Sequence, residues 1–197
     1  LGNDLVSRLK QERAQEISLV AHSMGGLVSR SALAQKAPKV KQLVMLGTPN
    51  HGSFVPVQAI RAVYSVVRQV AGLDPFHSAE ELSSLVFTTF PGLYQMLPTT
   101  EKFNALDLYD PAVWPQQGPR PRSEILAKVK PVQQSLAKAD DRFFLIAGVN
   151  QDTVTNLRIE QSEFLYEQTN EGDSTVPLAF CRLEGAKTYY VEESHGS

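Results

Sequence analysis

The pattern of apolar and polar positions divides the chain into short buried runs and longer amphipathic segments. Apolar runs with the length of strands fall near residues 16–22, 40–46, 142–149 and 186–191. Apolar positions at helical spacing follow the first run and end at Pro38. The alternation predicts an α/β fold with a mostly parallel sheet and flanking helices. A charged, amphipathic helix over residues 3–15 is expected to lead into the first strand.

A long insertion separates the second strand run from the third, because a simple crossover needs far fewer residues than residues 50–140 provide. We interpret it as a large helical cap within one domain, residues 1–197. Residues 54–73 are apolar except for a narrow polar stripe, at Gln58, Arg61, Ser65 and Arg68. The pattern is typical of a helix packed against protein. The alternative is a lid that lines an acyl pocket or touches a lipid interface.

The remaining cap shows local start and stop signals. Ser78 with Glu81 forms a capping box that predicts a helix start. Residues 90–98 are expected to form an irregular loop whose side chains line a substrate pocket, namely Leu93, Tyr94, Met96 and Leu97. The proline-rich residues 111–121, which include Trp114, predict an exposed extended loop.

A last helix of the cap is predicted to begin with Ser123 as its cap. Pro131 is expected to kink or restart that helix.

Composition excludes several functional classes. With 42% hydrophobic residues, 20% charged residues and a net charge of −2, the chain can bury one core and offers no basic stripe for nucleic acid. Cys181 is the single cysteine, which excludes an internal disulfide and favours a cytoplasmic compartment. No cysteine and histidine spacing suggests a metal site, and no cofactor is expected. The sequence contains no uninterrupted transmembrane run or internal repeat.

The strongest chemical signal is Ser23, which stands between the first strand and its helix in the run A-H-S-M-G. Ala21 and Gly25 flank it as small residues, so the run departs mildly from G-x-S-x-G. A serine on such a turn is exposed above the sheet edge, and the backbone N–H of Met24 would face a developing oxyanion. A plain glycine-softened turn is the alternative, but the flanking strand and helix favour a nucleophile elbow.

A nucleophilic serine needs a base and an orienting carboxylate, which follow it in chain order in an α/β-hydrolase. His195 comes directly after the last strand, and we predict it as the general base. Asp173 lies in the small, polar run G-D-S-T-V-P within the loop after the third strand, and we predict it as the acid. Three other carboxylates compete with it, Asp152, Glu171 and Asp140.

The other histidines are expected to have lesser roles. His22 should point to the opposite side from Ser23 and pack structurally. His51 either shapes the site wall or bonds within its own loop, and His77 is expected to be a solvated loop residue.

Four segments in order resemble the lecithin:cholesterol acyltransferase-like branch of the α/β-hydrolases. They are A-H-S-M-G-G at the elbow, L-G-T-P-N-H-G-S at 46–53, F-P-G-L-Y-Q-M-L-P at 90–98 and G-D-S-T-V-P at 172–177. The resemblance implies Ser23 as nucleophile, Asp173 as acid and His195 as base, with the Met24 N–H as one oxyanion donor. The branch includes lipases, phospholipases and acyltransferases.

These observations predict a serine hydrolase that cleaves carboxylic esters of acyl or lipid substrates through an acyl-enzyme intermediate. An acyltransferase with an alcohol acceptor is the first alternative, and a non-catalytic interaction module is the second. Transient contact with a membrane or lipid interface stays open. We also expect the 197 residues to be a piece of a longer protein with further domains, and the second oxyanion donor to lie upstream of Leu1.

Overall fold

The strands form a parallel sheet and a separate hairpin. A computed structural model of the chain describes residues 1–37 and 39–197. The strands in chain order are β1 (Ile17–His22), β2 (Val40–Leu46), β3 (Phe143–Gly148), β4 (Thr153–Glu160), β5 (Glu163–Thr169) and β6 (Lys187–Val191). Within the described residues, β1, β2, β3 and β6 pair in that order, all parallel. The predicted α/β fold with a mostly parallel sheet is confirmed.

The two central strands supply the middle of the core. Leu43 and Met45 of β2 and Phe143 and Leu145 of β3 are fully buried, which is typical of strands covered on both faces. At the sheet edge, β1 exposes Val20. The carboxyl ends of all four strands point the same way, so the loops after them meet at one edge of the sheet.

Two helices pack together, and the second of them lies on β1 and β2. The amphipathic helix α1 (Gly2–Gln11) buries Val6 and Leu9 and packs against α2 (Met24–Ala34), which begins directly after β1. The predicted end of this segment at Pro38 lies outside the described residues.

The long insertion consists of short helices joined by irregular segments. They are α3 (Val55–Ile60), α4 (Ser65–Leu73), α5 (Ala79–Leu85), α6 (Pro91–Gln95), α7 (Ser123–Leu126) and α8 (Val129–Gln134), with 3-10 turns at Phe87–Thr89 and Pro111–Val113. A last short helix, α9 (Leu178–Cys181), precedes β6.

The apolar segment 54–73 is broken into α3 and α4. Ala62 takes a left-handed conformation with φ +59°, which no continuous helix allows. Helix α3 is buried among core residues, as expected for a helix packed against protein. Helix α4 buries Val67 but exposes Val70 and Leu73, so its outer side is apolar and open to solvent.

Local start signals are mostly correct. The Ser78 Oγ accepts a hydrogen bond from the Glu81 N–H, and the Glu81 carboxylate accepts one from the Ser78 N–H, so the predicted capping box is confirmed. Ser123 is the first residue of α7 rather than its cap, so the helix begins one position earlier than predicted. The helix restarts at Val129 with Pro131 in its first turn, where a missing N–H costs nothing.

One predicted loop contains a helix, and the other is an irregular segment as predicted but is less exposed than expected. Residues 90–98 contain α6, because Pro91 at the first helical position suits a helix start. Trp114 is 1% exposed rather than solvated, and its indole N–H donates to the Leu108 carbonyl at 3.0 Å. Its ring packs edge-on against Phe164 with centroids 5.4 Å apart. The prolines near Trp114 suggested that it is exposed, whereas Phe164, 50 residues further along the chain, packs against it.

The segment between β3 and Asp173 was expected to be a plain loop, but it contains the hairpin of β4 and β5. Its turn residues Gln161 and Ser162 both have positive φ, 49° and 66°. Asn-Gly or Asp-Gly normally signals such a turn, so the Gln-Ser pair gave no warning. Glu163 of the hairpin forms an ion pair with Arg61 at 3.0 Å, which ties the hairpin to the segment after α3.

Candidate active site

Ser23 occupies a sharp turn between β1 and α2. Its backbone has φ 53° and ψ −128°, a conformation that a residue with a side chain rarely adopts. The Ser23 N–H donates to the Leu46 carbonyl at 2.9 Å, which ties the turn to the end of β2. This is the geometry of a nucleophile elbow, where a strained turn exposes the hydroxyl above the sheet.

Small residues allow α2 to pass close to its neighbours. A Cβ on Gly26 would collide with the side chain of Thr48, which is fully buried beyond β2. A Cβ on Gly25 would lie 3.7 Å from the Ala21 Cβ, an ordinary contact. Ala21 therefore fits where the usual motif has glycine.

The structure brings Ser23, His195 and Asp173 together. His195 Nε2 lies 2.8 Å from Ser23 Oγ, and His195 Nδ1 lies 2.8 Å from Asp173 Oδ2. An ionised carboxylate can only accept, so Nδ1 carries the hydrogen and Nε2 is free to accept the Ser23 hydroxyl proton. The arrangement is geometrically that of a serine–histidine–aspartate triad.

Asp173 is fixed by its own turn. Its carboxylate is 3% exposed, and Oδ1 accepts the N–H groups of Thr175 at 3.0 Å and Val176 at 2.7 Å. Ser174 has φ 73°, which closes the chain around the carboxylate. Because one oxygen is held by backbone, the other faces His195 in a fixed direction.

The competing carboxylates lie elsewhere. Asp152 and Glu171 are exposed. Asp140 contacts Arg142 at 2.6 Å, and the hydrogen bond from that guanidinium lowers the pKa of the Asp140 carboxyl. Among the described residues, Asp173 is the carboxylate that pairs with the His195 ring.

His22 was wrongly expected to pack away from the site. Its Nε2 lies 2.8 Å from the backbone carbonyl of His195, and the two rings are 4.8 Å apart. A carbonyl oxygen only accepts, so Nε2 is the donor. No local signal could reveal this contact, because 173 residues separate the partners.

Two glycines beyond strand ends also surround the site, and sequence reasoning missed both. A Cβ on Gly47 would lie 2.9 Å from Asp173 Oδ2 and 2.9 Å from His195 Nδ1, on the bond between them. A Cβ on Gly148 would meet the Asp173 Cβ and the Glu193 carbonyl oxygen, each at 2.5 Å. Gly47 directly follows β2 and Gly148 ends β3, and these positions at strand ends were the sequence signal that could have placed them near the site.

Met24 opens α2, so its backbone N–H belongs to the first helical turn, where no intrahelical acceptor exists. In the described structure it has no backbone hydrogen-bond acceptor. The positive end of the helix dipole lies at the same place. The Met24 N–H is therefore free to donate to an oxyanion beside Ser23.

The predicted pocket-lining residues divide into two groups. Tyr94 and Leu97 have no exposed surface, and the Tyr94 hydroxyl donates to the Thr88 carbonyl at 2.9 Å. Leu93 and Met96 are half-buried. The other side of α6 borders a cavity of about 310 Å³ beside Met24, together with residues of α2 and α8.

The remaining polar groups of interest are separate from the triad. His51 Nδ1 lies 3.3 Å from the Thr99 hydroxyl, and burial lowers the pKa of the His51 imidazole. His77 pairs with Asp74 at 2.8 Å on the surface.

Arg30 of α2 is buried and donates to the Asn50 amide oxygen at 3.1 Å and the Ala137 carbonyl at 3.0 Å. Burial lowers the pKa of its guanidinium to about 10. Asn50 donates in turn to the Cys181 carbonyl at 2.8 Å. This network fixes α2 to the loop after β2 and to α9.

Two kinds of feature are absent from the described residues. No group of three or more histidine, cysteine or acidic side chains is placed to hold a metal ion. No helix in this part of the chain has both the length and the apolarity that a bilayer crossing requires.

Comparison with known proteins places this geometry in context. A family model described as the PGAP1-like alpha/beta domain matches residues 4–111. No curated protein sequence matches the chain at a significant level.

Two solved structures share the fold. The mature form of the Bacillus licheniformis lipase BlEst2 superimposes with a TM-score of 0.51 and 17% identity, over 98% of this chain and 65% of that one. A chain of the Tle4–Tli4 complex gives a TM-score of 0.62 and 15% identity, over 98% of this chain and 57% of that one. The chain thus spans less than two thirds of either structure. The likeness establishes an α/β-hydrolase-type fold, and the lecithin:cholesterol acyltransferase-like subtype stays a prediction.

Proposed function

Since the chain belongs to the PGAP1-like alpha/beta domain family, which has an α/β-hydrolase-type fold, we propose that it is a serine hydrolase of carboxylic esters. One observation carries the proposal. Ser23, His195 and Asp173 form an unbroken line of hydrogen bonds, both of 2.8 Å, from a strained strand-to-helix turn to a buried carboxylate. The lipase among the structural neighbours supports an ester substrate.

The proposed reaction proceeds through an acyl-enzyme. His195 Nε2 takes the hydroxyl proton of Ser23 as Oγ attacks the ester carbonyl carbon, and the carbonyl π electrons move to oxygen. When the tetrahedral intermediate collapses, the carbon–alkoxy bond breaks and His195 returns the proton to the leaving alcohol. Water then attacks the acyl-Ser23 ester in the same way and releases the acid.

The other groups of the site stabilise charge in this scheme. Asp173 holds the Nδ1–H tautomer and stabilises the imidazolium that forms after proton transfer. The Met24 N–H donates to the oxyanion that develops on the substrate carbonyl. Neither group changes its own covalent state.

Transfer of the acyl group to an alcohol would use the same steps with the alcohol in place of water. We keep it as the alternative outcome of product analysis. The interaction-module alternative predicts an inert Ser23.

The test is labelling of the full-length protein with a fluorophosphonate, which phosphonylates an activated serine hydroxyl beside a base. We expect labelling at Ser23, hydrolysis of p-nitrophenyl esters, and loss of both in Ser23→Ala. Ser18→Ala, which changes an exposed serine of β1, the strand that precedes Ser23, serves as the matched control and should label normally. A folded protein that neither labels nor hydrolyses any ester in a broad panel would refute the proposal in favour of an interaction module.

A further inference from the structure

The cavity of about 310 Å³ beside Met24 follows one face of the elbow helix. Met24, Leu27, Val28 and Ser31 line it, at the i, i+3, i+4 and i+7 spacing that places side chains in one row. The row extends over eight residues, or about 10 Å of helix from the first Cα to the last. The cavity therefore starts at the residue after Ser23 and extends away along α2.

The opposite wall is also mainly apolar. Its apolar part comes from Pro91 and Gly92 of α6, Val132 of α8 and Leu136 beyond it, and from Gly2 of α1 with Leu1 before it, and Gln95 of α6 also borders the cavity. Gln133 belongs to the lining, but its amide N–H groups donate to the Gln95 carbonyl at 3.2 Å and the Leu97 carbonyl at 2.9 Å. Its polar capacity is thus used within the protein, and the cavity offers contacts mostly to hydrocarbon.

The position of His195 indicates where the alcohol half and the acyl half of a bound ester would lie. In the proposed reaction His195 protonates the leaving alcohol, so the alcohol lies beside the imidazole. The cavity is lined by Met24 and by no residue of the His195 loop, 192–197. The acyl half, which stays bound to Ser23 next to the Met24 N–H, is the half that faces it.

We infer that this cavity binds the acyl chain of a medium-chain carboxylic ester, an assignment that rests on the proposed function. A methylene group occupies roughly the room of one water molecule, ~30 Å³, so the cavity holds about ten such groups. Chains of eight to ten carbons would fill it, whereas acetate would leave it empty.

A substitution at Gly92 can fill part of this cavity. A Cβ there would lie 3.4 Å from the Met24 Sδ, a flexible side-chain end, so a leucine would project into the space beside Met24. Leucine also favours a helix more than glycine does. Gly72 is the matched control, because it lies in α4 with nothing within 4 Å of its Cβ position.

The experiment measures kcat/KM for p-nitrophenyl acetate, butyrate, octanoate, decanoate and palmitate with full-length wild type, Gly92→Leu and Gly72→Leu. We expect the wild type to prefer octanoate and decanoate. Gly92→Leu should lower the ratio of octanoate to acetate kcat/KM at least tenfold, and Gly72→Leu should keep the wild-type ratio. Suppose that the wild type labels with fluorophosphonate. If Gly92→Leu then loses kcat/KM equally on acetate and octanoate, or loses none, the acyl assignment alone is overturned. An unlabelled wild type would overturn the proposed function itself.

A second inference rests on a different contact, at the backbone of His195. This residue lies in a segment without regular structure after β6. Its N–H donates to the Asp173 carbonyl at 2.7 Å, and its carbonyl accepts from His22 Nε2 at 2.8 Å. The loop is thus held on both sides of the imidazole, once by Asp173 and once by His22.

We propose that His22 is a positioning residue for the imidazole of His195, again within the proposed function. Its hydrogen bond goes to the backbone of His195, and its ring lies beside the His195 ring at an interplanar angle of 42°. Loss of its N–H would leave the carbonyl side of the loop free to move. The Nε2 to Ser23 Oγ distance would then vary more.

Two variants separate the hydrogen bond from the ring. His22→Phe keeps the ring and loses the donor, and His22→Gln keeps a donor and loses the ring. We expect His22→Phe to lower kcat and the rate of fluorophosphonate labelling by about fivefold to tenfold, the range for one hydrogen bond, with KM and Tm unchanged. His22→Gln should recover most of that loss. Equal values in both variants, or a wild-type labelling rate in His22→Phe, would contradict the positioning role.

Discussion

Gly47→Ala tests how tightly the protein packs around the Asp173–His195 hydrogen bond. Gly47 has φ +53°, a conformation that alanine adopts with strain. Its Cβ position lies 2.9 Å from both Asp173 Oδ2 and His195 Nδ1. The methyl group must therefore displace at least one of the two atoms that share the hydrogen.

Two separate costs follow from this geometry. The left-handed backbone costs about 1–2 kcal/mol of folding free energy. For a chain of this size that lowers Tm by roughly 2–8 °C. The displaced hydrogen bond involves a charged carboxylate and contributes about 1.5–3 kcal/mol, so kcat should fall about tenfold to a hundredfold.

Gly118→Ala is the matched control for the backbone cost. Gly118 also has a positive φ, +76°, but its Cβ position faces the flexible end of Arg61 at 3.4 Å. We expect both variants to lower Tm and Gly47→Ala alone to lower kcat, measured by p-nitrophenyl ester hydrolysis and thermal unfolding. The reasoning is refuted if Gly47→Ala keeps the wild-type kcat, or if Gly118→Ala loses as much of it.

Further predictions concern the acid, the buried tryptophan and one buried histidine. Asp173→Asn should fold but lose turnover by a factor on the order of 10⁴, as in serine proteases, while Asp152→Asn keeps wild-type kinetics; the reverse result would reassign the acid. Trp114→Ala should lower the free energy of unfolding by about 3–5 kcal/mol in urea titrations, and Phe76→Ala, at 84% exposure, should leave it unchanged. Burial lowers the pKa of His51 in the folded protein below its ordinary 6.5. As the pH drops below 6.5, His51 therefore takes up a proton in the unfolded chain before it does so in the folded one, and the free energy of unfolding falls. His51→Gln should flatten this decline, and an unchanged slope would contradict it.

Much of the fold was predictable because its signals are local. The four parallel strands, the α2 helix and the capping box of Ser78 each follow from spacing within a few residues. The turn at Ser23 belongs to the same class, since a strand, a serine and two small residues occupy adjacent positions. Its strained φ of 53° agrees with that interpretation.

The site was predictable in part. Chain order and strand ends suggested Ser23 and His195, and the small residues around Asp173 favoured it over three other carboxylates. Which carboxylate faces the imidazole depends on the turn that buries Asp173 and on the path of the β4–β5 hairpin before it. That hairpin had no sequence signal, because Gln161 and Ser162 adopt the positive φ that glycine or asparagine usually marks.

By itself, the sequence determined the four parallel strands, the elbow and the order of the candidate triad, since backbone propensity and apolar periodicity act over a few neighbouring residues. Tertiary structure decided that His22 holds the His195 carbonyl, that Gly47 lies against the Asp173–His195 bond, and that Trp114 is buried. Each of these contacts joins residues from 50 to more than 170 positions apart. Such contacts are selected by close packing of the whole chain, where the space left by one element fixes the side chain that another can place there.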